Sequence, residues 1–118
     1  MALPQYSTRV ILNERPKPNI NENTFKIDKQ KISDLVPTKP SQVLVQVDYV
    51  SIDPAMRGWL DDRRSYIEPV AVGATMRAEG IGRVVKVYEG GGAIKFKVGD
   101  LVKCTPGTSR FSLSLSLF

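Results

Sequence analysis

The chain has 118 residues, of which 42% are hydrophobic and 25% are charged, and its formal net charge is +5. This length gives one domain, and this composition is typical of a soluble globular protein rather than of a disordered chain. No apolar run reaches the ~18 residues of a membrane span, and the first ten residues lack the charged-then-apolar order of a secretory signal. We therefore expect no membrane partner.

The sequence contains no histidine, and Cys104 is its single cysteine. These counts exclude Ser-His and Cys-His nucleophile pairs, a His-ligated zinc and an internal disulfide. A chain with neither disulfides nor a signal is typical of a reducing compartment, so we expect a cytoplasmic protein. The basic residues are scattered along the chain instead of forming a stripe, so we expect no nucleic-acid partner, although the positive charge leaves a weak basic binder as an alternative.

The hydrophobic pattern predicts a chain dominated by β-strands. The longest predicted strand is 42–52, where Val43, Val45, Val47 and Tyr49 occupy every second position and share one apolar face. The others are shorter and unevenly spaced: one at 8–14, one within 24–33, one at 80–88, and a last short one within 96–103 beside a Gly-Asp turn. The strand within 24–33 alternates only at its start and is predicted to lie at an edge.

A short helix of one or two turns is predicted at 54–60, because Asp53 can cap it and Pro54 suits its first position. Gly80 and Gly82 would allow another backbone or a ligand to come close to the strand that they begin. The elements together predict a mainly β fold (β-rich α+β), a barrel or a sandwich around one core with one or two short helices.

The last residues differ in composition from the rest. Residues 110–118 alternate Leu and Ser and carry no charge after Arg110, which is compatible with an edge strand or with disorder. We therefore divide the chain into a domain at 1–107 and an atypical tail at 108–118, and we hypothesise that a shifted reading frame or a retained intron produced the tail.

Several motifs in fixed order resemble one branch of the medium-chain dehydrogenase/reductase superfamily. The segment 48–60, DYVSIDPAMRGWL, resembles the Y-x-S-x-D-P-x-M-R-G motif of the zinc-independent prostaglandin and leukotriene reductases and alkenal or curcumin double-bond reductases. Further segments resemble that branch in the same order: TRVILNERP at 8–16, SYIEP at 65–69, MRAEGIGRV at 76–84 and FKVGDLV at 96–102.

The resemblance implies a GroES-like domain, which is a partly open β-barrel on the substrate side of the enzyme. In the complete family members a Rossmann domain follows and binds NADP(H), and the reaction reduces the carbon–carbon double bond of an α,β-unsaturated ketone or aldehyde. The protein orients the cofactor, which carries the chemistry. The family resemblance also implies a small-molecule enone or enal as partner.

The residues present favour the zinc-independent branch. Zinc-dependent relatives place a cysteine ligand just after the long strand, where Ile52 and Asp53 stand here, and a histidine ligand where Ala78 stands. Without histidine, a catalytic zinc site is not expected, and we predict no metal ligand in this chain.

The resemblance points to six candidate residues for the substrate pocket, and to no catalytic residue: Ala55, Met56, Arg57, Glu79, Thr105 and Pro106. Ala55 stands where the family often has a tyrosine, which weakens the expectation of an enone substrate. Structural roles compete with these functional ones. Arg57 is as compatible with an ion pair as with a ligand, Met56 with the core, and Glu79 with a loop.

A dinucleotide site requires a strand, a glycine-rich turn and a helix in that order. Gly80 and Gly82 precede a strand, and the triple glycine at 90–92 has no long helix after it. We therefore expect no cofactor to bind this chain alone and describe it as a truncated, inactive fragment of an NADP(H)-dependent reductase. A non-enzymatic module that binds a small molecule or a protein is the alternative, with possible self-association through exposed strand edges.

Overall fold

The structure, a computed structural model, describes residues 3–63, 65–92 and 95–114. For residue 114 it describes the backbone only. The described residues form six strands and two short helices, in agreement with the predicted mainly β fold. The strands are β1 (Tyr6–Leu12), β2 (Phe25–Lys31), β3 (Val43–Val50), β4 (Gly80–Val87), β5 (Leu101–Cys104) and β6 (Phe111–Ser114). The α-helix α1 spans Ala55–Gly58, and a 3-10 turn spans Ile32–Asp34.

The strands form two antiparallel sheets. One is the β1-β2 hairpin, and the other has four strands in the order β5-β4-β3-β6. The central strand β3 was the clearest prediction from the sequence, and it is paired on both sides. Its two faces are both buried at the start, since Val43 and Val45 pack in one apolar cluster and Leu44 in another.

The predicted burial of Tyr49 is wrong. Its side chain is 75% exposed, although Val47, two residues earlier, is buried. The pairing of β3 with β4 shifts register between Val47 and Tyr49, and such a bulge re-aims the side chains that follow it. Strict alternation therefore ends at Val47.

The glycines that begin β4 serve close packing of the backbone. A Cβ atom at Gly80 would collide with the carbonyl oxygen of Tyr49, and one at Gly82 would collide with the carbonyl oxygen of Gln46. Of the two alternatives, the backbone of β3 and not a ligand is therefore what approaches these glycines.

The tail takes part in the sheet as far as the structure describes it. Strand β6 pairs with β3, and Phe111 is 3% exposed in a cluster with Ile32, Leu35 and Leu44. The edge-strand alternative is therefore the one seen for residues 111–114, while 115–118 lie outside the described residues. Burial of Phe111 weighs against an origin of the tail outside the domain. A shifted reading frame or a retained intron stays a hypothesis, and sequencing the transcript past the Gly107 codon tests it.

We predict that Phe111→Ala lowers the free energy of unfolding by about 3–5 kcal/mol, because it leaves a cavity in this cluster. Chemical denaturation of the 118-residue chain measures the change. The control is Val98→Ala, since Val98 is exposed in a turn and its truncation should change stability by less than about 0.5 kcal/mol. Equal stability of the two variants would show that the tail does not contribute to the fold.

Candidate functional site

An apolar pocket of about 400 Å³ lies between the β1-β2 hairpin and helix α1. This volume falls within the usual range of small-molecule sites. Most of its walls are aliphatic or aromatic, and the polar side chains among them are Asp53, Arg57 and Thr108. The complete lining is Val10, Ile20, Phe25, Ile52, Asp53, Pro54, Met56, Arg57, Leu60, Met76 and Thr108.

Helix α1 turns one apolar and one charged residue toward the pocket. Met56 is 8% exposed and packs with Leu60 and Met76 in the core beneath the pocket, while Arg57 next to it remains half-buried. Met56 therefore belongs to the core and to the pocket wall at once, so the two alternatives left open by the sequence are not exclusive.

Asp53 does not cap α1 with its carboxylate, contrary to the prediction. The carbonyl oxygen of Asp53 accepts the amide hydrogen bond of Met56 at 3.0 Å, while its carboxylate accepts one from the Ser51 hydroxyl at 2.7 Å. A competing hydroxyl two residues away is a local partner that a carboxylate readily takes. The carboxylate is therefore held at the exposed rim of the pocket.

Arg57 is held by two groups at the edge of the pocket. Its Nη1 forms an ion pair with Asp61 at 3.0 Å, and its Nη2 donates a hydrogen bond to the carbonyl oxygen of Pro18. The ion pair with a nearby carboxylate, expected as the structural role of Arg57, is confirmed. The side chain also lines the pocket, so one positive charge lies beside an otherwise apolar space.

Thr108 was not among the predicted site residues, although it lines the pocket. Its Oγ1 lies 3.1 Å from the carbonyl oxygens of both Val10 and Met76, and can donate to either. No local pattern could have indicated Thr108, because it falls in the segment assigned to the tail and its partner Val10 is almost the whole chain away.

The other predicted site residues are not among those that line this pocket. Ala55 is exposed on α1 outside the lining, and Thr105 is exposed as well. Pro106 is buried, with its ring beside Gly80. Of the six candidates, the structure therefore brings only Met56 and Arg57 together in the pocket.

Glu79 lies in a different depression, of about 350 Å³, where β3 ends and β4 begins. Tyr49 and Lys103 line the same depression, and the backbone oxygen of Glu79 accepts a hydrogen bond from the amide of Ser51 at 2.8 Å. Glu79 and Arg57 thus do not share a site.

Two aromatic residues near α1 form a hydrogen bond with each other. The indole Nε1 of Trp59 donates to the hydroxyl of Tyr66 at 3.1 Å, and the guanidinium of Arg77 lies 5.2 Å from the centre of the Trp59 ring. Arg77 also donates to the carbonyl oxygen of Glu68 at 2.7 Å. These contacts fix the loop that follows α1, so Tyr66 has a structural partner outside the pocket.

The described part of the chain contains no group of three or more Cys, Asp or Glu residues arranged to hold a metal ion. Cys104 is buried in the cluster with Val84 and Val102. Within the same residues, no helix is both long and apolar enough to cross a membrane.

The residues also do not fit a dinucleotide. The backbone of β3 occupies the space at Gly80 and Gly82, and the α-helix that the described residues form has only four residues. A pyrophosphate site needs a glycine-rich turn that leads into a helix N-terminus. The described residues therefore form no such site.

Comparison with known proteins places this geometry in a family. The sequence profile of a family described as the N-terminal domain of oxidoreductase matches residues 8–115, which include most of the tail. The NADPH-dependent curcumin reductase of Escherichia coli is 33% identical over 82 residues, which are 70% of this chain and 23% of that protein. A putative NADP-dependent oxidoreductase of Bacillus subtilis, YfmJ, is 39% identical over 64 residues, which are 54% of this chain and 17% of that protein.

Solved structures agree with the sequence comparison. CurA from Vibrio vulnificus superposes with a TM-score of 0.78 at 26% identity, over 93% of this chain and 30% of that one. Its complex with NADPH gives a TM-score of 0.77 at 26% identity, over 92% of this chain and 30% of that one. The expected GroES-like architecture is confirmed, and the chain spans less than a third of the length of these relatives. The chain belongs to the family of N-terminal domains of NADPH-dependent oxidoreductases.

Proposed function

We propose that the chain forms the substrate-side part of a reductase that uses NADPH to reduce the carbon–carbon double bond of an α,β-unsaturated ketone or aldehyde. The observation that carries the proposal is the apolar pocket at α1, in a domain whose relatives include a curcumin reductase and a CurA complex with NADPH. Curcumin is a conjugated carbonyl compound, and an apolar pocket with few polar groups suits such a molecule.

The pocket divides the binding of such a substrate into two parts. The aliphatic walls, to which Met56 and Ile52 contribute, would bury the hydrocarbon part. Arg57 and Asp53 lie at the same rim, so a carbonyl oxygen would find a hydrogen-bond donor in the guanidinium group. The chain thus supplies binding and orientation.

We propose further that this chain alone has no reductase activity, because the described residues offer no cradle for the pyrophosphate of NADPH. When the 118-residue chain is mixed with NADPH and an enone, we expect no loss of NADPH absorbance. We also expect no enhancement of NADPH fluorescence. Turnover, or saturable enhancement of the fluorescence, would contradict this part of the proposal.

A charged side chain introduced at the rim tests whether the ligand binds in this pocket. We predict that Ile52→Asp weakens binding of an apolar enone by about tenfold or more, because Ile52 lines the pocket and a carboxylate there must be desolvated. Ile52 is 77% exposed, so the substitution should not disturb folding. Calorimetry or quenching of Trp59 fluorescence measures the affinity.

The matched control is Val98→Asp, which adds the same charge at an exposed turn outside the pocket. Equal affinities of the two variants would place the ligand elsewhere. Failure of the unmodified chain to bind any apolar enone would contradict the proposed substrate.

A non-enzymatic binding module is a second candidate, and one observation favours it. The pocket lining is almost wholly apolar, and such a lining can hold a small molecule without any bound reductant. The distinction is made by adding a separately produced Rossmann domain of a relative: the reductase proposal expects NADPH consumption to appear, and the binding-module proposal expects none.

A further inference from the structure

The loop between β1 and β2 forms one side of the pocket. We call residues 15–20 of this loop the pocket loop. Its last residue, Ile20, lines the pocket together with Phe25 of β2, opposite Met56 and Leu60 on the side of α1. Ile20 is 49% exposed, so it stands at the opening and not at the floor.

The base of the pocket loop is tied by its own hydrogen bonds. The amide of Asn13 donates to the carbonyl oxygen of Thr24 at 2.8 Å, and Thr24 donates its amide to Asn21 at 3.2 Å. The hydroxyl of Thr24 accepts from the amide of Asn21 at 3.0 Å, and Thr24 is fully buried. The loop therefore leaves the hairpin from a fixed base.

The pocket loop itself is held differently. Among the described residues, no backbone–backbone hydrogen bond outside the strands and helices involves residues 15–20. Two arginine side chains hold it instead, in a reciprocal arrangement. Arg15 of the loop donates from Nη1 to the carbonyl oxygen of Leu60 at 2.8 Å, and Arg57 of α1 donates to the carbonyl oxygen of Pro18.

These two bonds set the width of the pocket. Each joins one wall to the other, since Arg15 and Pro18 belong to the loop and Leu60 and Arg57 belong to the region of α1. The ion pair of Arg57 with Asp61 fixes the direction of the guanidinium group. Hydrogen bonds from a charged donor are stronger than neutral ones, so two of them can define the position of a short loop.

We propose that the pocket loop determines the size of the ligand that the pocket accepts, with Ile20 as the specificity-determining contact and Arg15 and Arg57 as positioning residues. The proposal rests on the proposed function, because it concerns the same pocket. Substrates that end near Ile20 gain its apolar contact, whereas longer or bulkier substrates meet it as an obstacle. The ligand class is a conjugated enone whose hydrocarbon part reaches the opening between Ile20 and α1.

The first test measures affinities of the 118-residue chain for a series of straight-chain enones of increasing length. We expect Ile20→Ala to change the affinity ratio between the longest and the shortest member by about tenfold in favour of the longest, because the side chain that limits the opening is shortened. The matched control is Ile27→Ala, which makes the same change at an exposed residue of β2 outside the pocket and should leave the ratio unchanged.

The second test concerns the positioning role of Arg15. Arg15→Met keeps an unbranched, flexible stem but removes the donor to Leu60, whereas Arg15→Lys retains a charged donor. We expect the methionine variant to lower the NMR order parameters of the backbone at Lys17, Asn19 and Ile20, and to shift the enone length preference in the direction of Ile20→Ala. We expect the lysine variant to recover both properties largely, which a general loss of stability would not produce.

The outcomes separate this inference from the proposed function. Binding of enones with an unchanged length preference in both Ile20→Ala and Arg15→Met overturns the role of the loop and leaves the substrate class in place. Absence of binding by the whole series to the unmodified chain overturns both. Unchanged order parameters in Arg15→Met overturn the positioning role alone, while the shifted ratio in Ile20→Ala would still support the contact.

Discussion

The fold depends on a short stretch of backbone that joins the two sheets. The amide of Arg110 donates to the carbonyl oxygen of Thr8 in β1 at 2.9 Å, and its own carbonyl oxygen accepts from Val47 of β3 at 2.8 Å. The amide of Val10 donates to the carbonyl oxygen of Thr108 at 2.8 Å. The hairpin and the four-stranded sheet are thereby held in one structure, and the pocket forms beside this junction because Val10 and Thr108 both line it.

This junction also explains where prediction from sequence succeeded and where it failed. The strand pattern was readable because alternation of Val43, Val45 and Val47 is a local signal that burial on one face produces. The bulge before Tyr49 and the pairing of the tail depend on contacts with distant strands, which no local pattern records. The tail was predicted to be atypical of the domain for a related reason: its alternation of Leu and Ser is low in complexity, and no local pattern shows that Phe111 and Leu113 pack against the core.

Prediction of the site residues was limited in the same way, because contacts between distant segments decide which residues reach the pocket. Met56 and Arg57 were accessible from the sequence because a short motif places both on one helical turn, and the resemblance marked that turn. Glu79, Thr105 and Pro106 follow other motifs of the family, which the fold leaves outside the pocket lining. Glu79 lies in the separate depression at the end of β3, and Pro106 packs beside Gly80. In the sequence, Ile20 is an isolated aliphatic residue in a polar loop, which is only a weak indication of a site. It lines the pocket because Arg15 and Arg57 hold the loop against the region of α1.

The pocket combines mostly apolar walls with one cationic side chain, Arg57, and this composition limits what the chain can contribute to a reaction. In the proposed reaction its walls would contact the hydrocarbon part of the substrate, which hardly changes between substrate and transition state, so they would favour both states equally. Binding of that kind selects and orients a substrate but does not by itself lower the barrier to chemistry. Arg57 is the described pocket residue whose charge would respond to electron density that develops on a carbonyl oxygen, and its two existing partners, Asp61 and Pro18, already restrain it. A guanidinium so restrained needs little reorganisation when that charge develops, and this is the condition under which a polar group contributes to catalysis instead of to binding alone.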